Sequence, residues 1–293
     1  MLSNFHVKQQ PTSGSNGLGG GVHNVGTIWK PRADALASDL KIAYSGLSEH
    51  GYRNVASLIN KTSDVSPVFI PRGANKPLFS HSIKKWSHYD SSLELGVRTG
   101  GNTGWFASED PDASSTTRDL QAFGTNLWTF ETWIYIPAFQ TDNDAAVAIM
   151  KHNNDLNDAN SKGFKVTITG SNFGNSASER RTLYYTAGPP GTTALTSQNS
   201  INAGQWHHVA VTRTSTGSSN SFLKLYIDGQ ERTALRQGNC NRDWDFTGPV
   251  FCSSDPSHTT WDNVMIQDYR IYQGVAKYTG STYTTPSSMF IKN

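Results

Sequence analysis

Residues 201–229 read INAGQWHHVAVTRTSTGSSNSFLKLYIDG. Two apolar-rich runs, 206–213 and 222–228, flank the polar joint TSTGSSNS. The second run ends on Asp228-Gly229, a dipeptide favoured in tight hairpins. Strand side chains alternate between faces, so His207, Val209 and Val211 share one side while Trp206, His208, Ala210 and Thr212 share the other. The adjacent histidines therefore point apart, and one metal ion cannot readily take both. The pattern predicts two histidines built into a sheet, one hydrogen-bonded in the interior, rather than a ligand pair.

Similar runs recur outward from this hairpin. DVSPVFI (64–70), SSLELGV (91–97), LWTFETWIYI (127–136), AAVAIM (145–150), FKVTIT (164–169), RTLYYTA (181–187) and MIQDYRIYQ (265–273) all read as strands. Polar turn clusters such as TDND, TGSNFGNSAS and TAGPPGTT separate them. SDLKIAYS fits a strand preceded by a helical turn over 32–38. No long helical period interrupts the series, so the expected class is all-β: an antiparallel two-sheet jelly-roll sandwich. Only 16% of residues are charged and 11% are aromatic, which suits half-buried pleated surfaces.

Residues 1–32 differ. PTSGSNGLGGGVHNVG lacks apolar periodicity and predicts an extended arm, with Ile28 and Trp29 as an apolar tip for docking on a partner. About 30 extended residues would reach roughly 100 Å. The expected organisation is thus an arm over 1–32 and a sandwich over 33–293.

The balance of 25 basic and 23 acidic residues, with no basic stripe, argues against nucleic acid or a membrane surface as partner. MLSNFHVKQQPTSGSNG holds no apolar core of the secretory kind, so the expectation is a cytoplasmic protein or one released without a leader. In that compartment Cys240 and Cys252 are expected as thiols. Neither sits at zinc-finger spacing.

GQWHHVAVTR, LKLYIDGQ and IQDYRIYQGVAKYTGSTYTTP together resemble the laminin-G-like (concanavalin A-like) jelly-roll family. That family reads W-x-H-V-A-V-x-R, then L-x-L-Y-x-D-G, then I-D-D-x-R-I-Y-x-G-V-A-R-Y-T. Trp206, His208, Asp228, Gly229, Ile266, Asp268, Arg270, Tyr272, Gly274, Val275, Ala276 and Tyr278 match, and Gln267 departs where an aspartate is usual. The resemblance is strong over 126–286, weak over 33–125 and absent over 1–32. Its G-V-A-(K/R)-Y-T form recurs in structural proteins of tailed bacteriophages, which implies a virion component docked by its arm. Such a protein would be assembled in the host cytoplasm beside capsid or tail proteins and would be homo-oligomeric by symmetry.

Glycosidases of this architecture project paired acids from one strand. Here SSLELGV carries only Glu94 and TFETWIY only Glu131, so no carboxylate pair and no enzyme is expected. Calcium is the one metal with candidate oxygen ligands, at Asp142 and Asp144 in TDND, although Asx turns have the same composition. For glycans, Trp244 and Trp261 beside acids, and Trp105 in TGWFAS, are the candidate platforms, with packing as their competing role. The sequence thus supports two classes of function, a virion structural protein and a carbohydrate-binding module or adhesin.

Overall fold

The computed structural model describes residues 36, 39–48, 68–72, 78–87, 89–95, 105–109, 126–139, 141, 146–152, 164–174, 176–187, 192–217, 222–237, 250–253 and 264–287. In chain order the strands are β1 (Leu40–Tyr44), β2 (Val68–Arg72), β3 (Leu78–Ser80), β4 (Ser92–Leu95), β5 (Trp105–Glu109) and β6 (Trp128–Tyr135). Then come β7 (Ala146–His152), β8 (Phe164–Thr169), β9 (Leu183–Ala187), β10 (Thr192–Thr196) and β11 (Trp206–Arg213). The last are β12 (Leu223–Ile227), β13 (Gln230–Glu231), β14 (Thr233–Gln237), β15 (Val250–Ser253) and β16 (Val264–Gln273). Among the described residues the only named helical element is a 3-10 turn at Ala177–Glu179.

The strands form two antiparallel sheets, as the alternating runs predict. Sheet A runs β13-β12-β11-β6-β16-β4-β3, with β1 also on β16, and sheet B runs β14-β10-β9-β8-β7-β15-β5-β2. Short strands with little apolar content, such as β10 (TTALT), β14 (TALRQ) and the three-residue β3, were not legible in the sequence. Their place is set by the neighbours they pair with. The expected arm, its tip at Ile28 and Trp29, and the helical turn over 32–38 apart from residue 36 lie outside the described residues.

The core lies between the sheets. Trp128, Phe130, Ile134, Val209, Val211, Leu225, Ile266 and Ile271 of sheet A meet Val147, Ile149, Phe164, Val166, Ile168 and Tyr185 of sheet B. Trp128 is fully buried and stacks on Phe164 at 5.0 Å between ring centres. Burying one such side chain contributes roughly 1.5–3 kcal/mol, so this layer dominates the stability.

One irregularity shapes the outer face of sheet A. Gln267 pairs with Trp133 and Arg270 with Glu131, so Asp268 and Tyr269 together oppose Thr132 in a β-bulge. Asp268 takes a left-handed backbone, φ 58°. Simple alternation from Ile266 would have turned Asp268 and Arg270 into the core; the extra residue sends Tyr269 inward and Arg270 outward. The bulge also marks where the far edge of β16 changes partner, from β4 at 264–266 to β1 at 269–272. The Asp268 N–H donates to Ser45 O there, at 3.1 Å. Gln267, the departure from the family pattern, accepts from Lys85 N–H (2.9 Å) and donates to Ser91 O (2.8 Å). An aspartate could accept but not donate.

After β16 the chain turns back and crosses the outer face of sheet A as a strap, 274–287. Tyr283 N–H donates to Gly229 O (2.7 Å), Glu231 N–H to Ser281 O (2.8 Å), and the Lys224 ammonium to Thr279 O (2.8 Å). Asp228 and Gly229 both have positive φ, 51° and 78°, as a two-residue type I′ hairpin requires. A Cβ on Gly229 would lie 2.2 Å from Tyr283 O, whereas one on Gly274 (φ 90°) would meet nothing within 4 Å. Replacing each by alanine separates the two effects. Gly274→Ala is expected to cost about 1 kcal/mol of backbone strain, and Gly229→Ala more than about 2 kcal/mol because the strap must also move. Urea unfolding of the pair checks this ordering.

Candidate functional site

Two polar assemblies flank the Asp228-Gly229 turn. The first lies between sheet A and the strap. Register sets Glu131 of β6 between Ala210 of β11 and Arg270 of β16. The small Ala210 leaves room for Tyr278 of the strap, which packs there with Tyr226 and Tyr283.

Glu131 is fully buried. Its Oε1 accepts from Lys277 Nζ (2.8 Å) and Arg270 Nη1 (3.2 Å), and its Oε2 accepts from the Tyr278 hydroxyl. Arg270 also grips Asp268 through two parallel bonds, Nε to Oδ1 (2.8 Å) and Nη2 to Oδ2. Asp268 and Arg270 thus support each other, by way of the bulge. Two carboxylates and two cations sum to zero, so the desolvated cluster carries no net charge.

Burial alone would raise the Glu131 pKa, but Lys277, Arg270 and His208 outweigh it and hold it at about 2. Burial drives His208 down to about 4, against the opposing pull of Glu131. His208 packs edge-on to Trp133, and its Nδ1 shares a 2.6 Å hydrogen bond with the Tyr283 hydroxyl. Burial is also the main reason the Tyr278 and Tyr283 hydroxyls are pushed up. The cluster is locked in ion pairs beneath a cover, which suits it to hold the strap down.

The second assembly is open to solvent. A cleft of about 410 Å³ lies between the β10–β11 loop and the β12–β13 turn, within the roughly 300–1,000 Å³ range of small-molecule sites. Among the described residues its lining is polar except for Ile227: amides, two serines and His207 surround its two formal charges, Asp228 and Arg232.

The loop wall is held by its backbone. Asn199 N–H donates to Arg180 O (3.0 Å), Ile201 N–H to Arg181 O (3.3 Å) and Gly204 N–H to Ile136 O (2.8 Å). The two walls are tied where Ser197 N–H donates to Arg232 O (3.2 Å).

Asp228 joins the two assemblies. Its Oδ2 accepts from His207 Nδ1 (2.7 Å) and its Oδ1 from His208 N–H (2.9 Å). Burial favours the protonated acid, but these two bonds prevail and hold Asp228 below its usual range. Asn202 N–H can only donate, and it donates to His207 Nε2 (3.1 Å), which leaves Nδ1 as the nitrogen carrying the proton. As expected, the two histidines face opposite ways; not one but both are hydrogen-bonded through their rings.

Trp244, Trp261, Asp142 and Asp144 lie outside the described residues, as does Cys240. Trp105 opens strand β5, paired with Arg72 and Ser253, and nothing of its side chain is described. Cys252 pairs with Phe106 on β15. Among the described residues no group of three acids, histidines or cysteines could hold a metal ion. The cleft was missed because its polar residues sit in the loop SQNSINAGQ, which reads as an ordinary turn. The signal available was the hairpin acid Asp228 two strand-lengths from His207.

A family model described as the concanavalin A-like lectin/glucanases superfamily matches residues 86–277, well over half of the chain. No curated protein matches the sequence. Among solved structures, the chain is similar to the binding domain of Paraclostridial Mosquitocidal Protein 1, at 14% identity and TM-score 0.54 over 81% of this chain and 49% of that one. It is similar to the binding domain of botulinum neurotoxin DC in complex with rat synaptotagmin II, at 12% identity and TM-score 0.51 over 81% and 48%. A third is from work on botulinum neurotoxin type C, whose cell entry depends on interaction with two ganglioside molecules, at 13% identity and TM-score 0.51 over 85% and 51%. The chain spans about half the length of these structures. At such identities the likeness is one of fold.

The cluster predicts acid lability. Unfolded, His208 gains its proton near 6.5; folded, it resists to about 4. The unfolded state binds more protons in between, so this contribution is complete above pH 6.5 and lost as pH falls toward 4. Glu131 has the same sign and extends the loss from 4.5 to about 2. Between pH 6.5 and 4 the wild type should lose on the order of 3 kcal/mol through His208, and His208→Gln should flatten that slope. Stability measured against pH checks it. Glu131→Gln leaves Arg270 and Lys277 underpaired and is expected to cost about 3–5 kcal/mol at pH 7, read by urea unfolding.

Proposed function

Since the chain belongs to the concanavalin A-like lectin/glucanases superfamily, we propose that it is a non-enzymatic binding module whose ligand is a surface carbohydrate. The observation that carries this reading is the cleft between the β10–β11 loop and the β12–β13 turn. It is preformed by backbone bonds, sized for a sugar unit or two, and lined by amides, a carboxylate and a guanidinium, the groups that meet hydroxyls. The fold-level neighbours lend support, since two are binding domains and one belongs to a toxin that engages gangliosides.

Adhesion is favoured over hydrolysis by the state of the acids. Glu131 and Asp268 are neutralised under the strap. Asp228 is the one carboxylate among the described residues lining the cleft, and glycoside hydrolysis needs a pair.

A second reading concerns where the module works. We propose a virion structural protein of a bacteriophage, a capsid decoration or tail component, docked by residues 1–32 through Ile28 and Trp29. It would be oligomeric and would present the sandwich outward. Its support is the Gly274-Val275-Ala276-Lys277-Tyr278-Thr279 run, which resembles phage structural proteins.

Binding to an array of polysaccharides and gangliosides tests the first reading. The double variant Asn202→Ala, Gln230→Ala should lose about tenfold in affinity without a change in thermal unfolding, through its lost hydrogen bonds. Losses confined to Trp244→Ala, Trp261→Ala or Trp105→Ala would move the site away from the cleft. For the second reading, a chain shortened to 33–293 should fold yet fail to join the particle; normal incorporation would remove the docking role.

A further inference from the structure

Resting on the carbohydrate reading above, we propose that the cleft selects acidic polysaccharides, chains bearing carboxylate or sulfate groups, over neutral ones. Among the described residues the lining contains no Phe, Tyr or Trp side chain and a single apolar one, Ile227. From these residues affinity comes from hydrogen bonds and charge rather than from stacking on a ring.

Two lining amides, Asn199 and Gln230, keep donors for a ligand, whereas Gln205 spends its NH₂ group on His207. Asn199 Oδ1 accepts from Arg181 Nε at 2.6 Å, and Gln230 Oε1 accepts from Arg232 Nη2 at 2.6 Å. Each amide thus has its carbonyl engaged by a guanidinium and keeps its NH₂ group for a ligand. His207 Nε2 already accepts from Asn202 N–H and from Gln205 Nε2, both at 3.1 Å, so it offers a ligand no acceptor. Asp228 remains as an acceptor, but both its oxygens take protein hydrogens.

Charge points the same way. Among the described lining residues Arg232 is the exposed cation and Asp228 the carboxylate, whose two oxygens already take protein hydrogens, while Arg181 stands behind Asn199. A neutral polyol, which donates as often as it accepts, leaves such a site poorly matched. An anionic group supplies acceptors alone, and a guanidinium can take it through paired bonds. Hydroxyls beside the anion can still donate to the second lone pairs of Asp228.

The test uses the full chain with four probes: polygalacturonate and chondroitin sulfate as acidic chains, dextran and galactomannan as neutral ones. Affinity electrophoresis and calorimetry should show at least one acidic chain bound about tenfold more tightly than either neutral chain. That preference should shrink between roughly 50 and 500 mM salt. Arg232→Gln should lose about tenfold toward the acidic chain at unchanged thermal stability. Lys84→Gln, an equal change of charge away from the cleft, should lose little. Polygalacturonate against chondroitin sulfate distinguishes carboxylate from sulfate, and a preference for either supports the proposal. Equal or tighter binding of neutral chains, or equal losses in the two variants, would overturn it while leaving the carbohydrate reading in place. Binding of no polysaccharide of either kind would overturn both.

Discussion

A carboxylate with no access to water, Glu131, dictates much of how this domain is built. Left unpaired it would cost several kcal/mol, so cations must reach it from two directions. Arg270 arrives from β16, and only because the bulge at Asp268 turns it outward. Lys277 arrives from the strap and brings Tyr278 with it. The aromatic packing of Tyr226, Tyr278 and Tyr283 then closes the site above Ala210. Strand pairing, bulge and returning segment are thus answers to one electrostatic demand.

The same demand reaches the cleft. Tyr283 is anchored on Gly229, and Asp228 beside it accepts from the His207 ring and from the His208 backbone N–H. Two residues further on, Gln230 and Arg232 form the wall of the cleft. The turn that carries the cleft-facing acid is therefore held from above by the strap and from below by His207. Such double support is what keeps a recognition site within narrow geometric tolerance.

The fold was legible where period-2 alternation was strong. WHHVAVTR, FLKLYID and LWTFETWIY lie side by side in sheet A, with the faces that alternation assigns. TTALT carries too little apolar signal, and VFCS is too short to show alternation; the latter pairs with β5, far along the chain. The bulge that turns Arg270 outward was not legible, because nothing in IQDYRIY marks a left-handed aspartate. The candidate site was legible only in part. His207, His208 and Asp228 drew notice, whereas Asn199, Gln230 and Arg232 become a site only once a loop of sheet B meets a hairpin of sheet A.

The strap also decides how the domain answers to pulling. Tension applied at the C-terminal side enters through residues 274–287, whose bonds to Gly229, Glu231 and Lys224 lie in a row and would part in succession, like a zipper. The sheets themselves are loaded only after Lys277 has been drawn off Glu131. The domain therefore has a built-in mechanical fuse: a short segment yields first, and the sandwich behind it is spared until the charge beneath is laid bare.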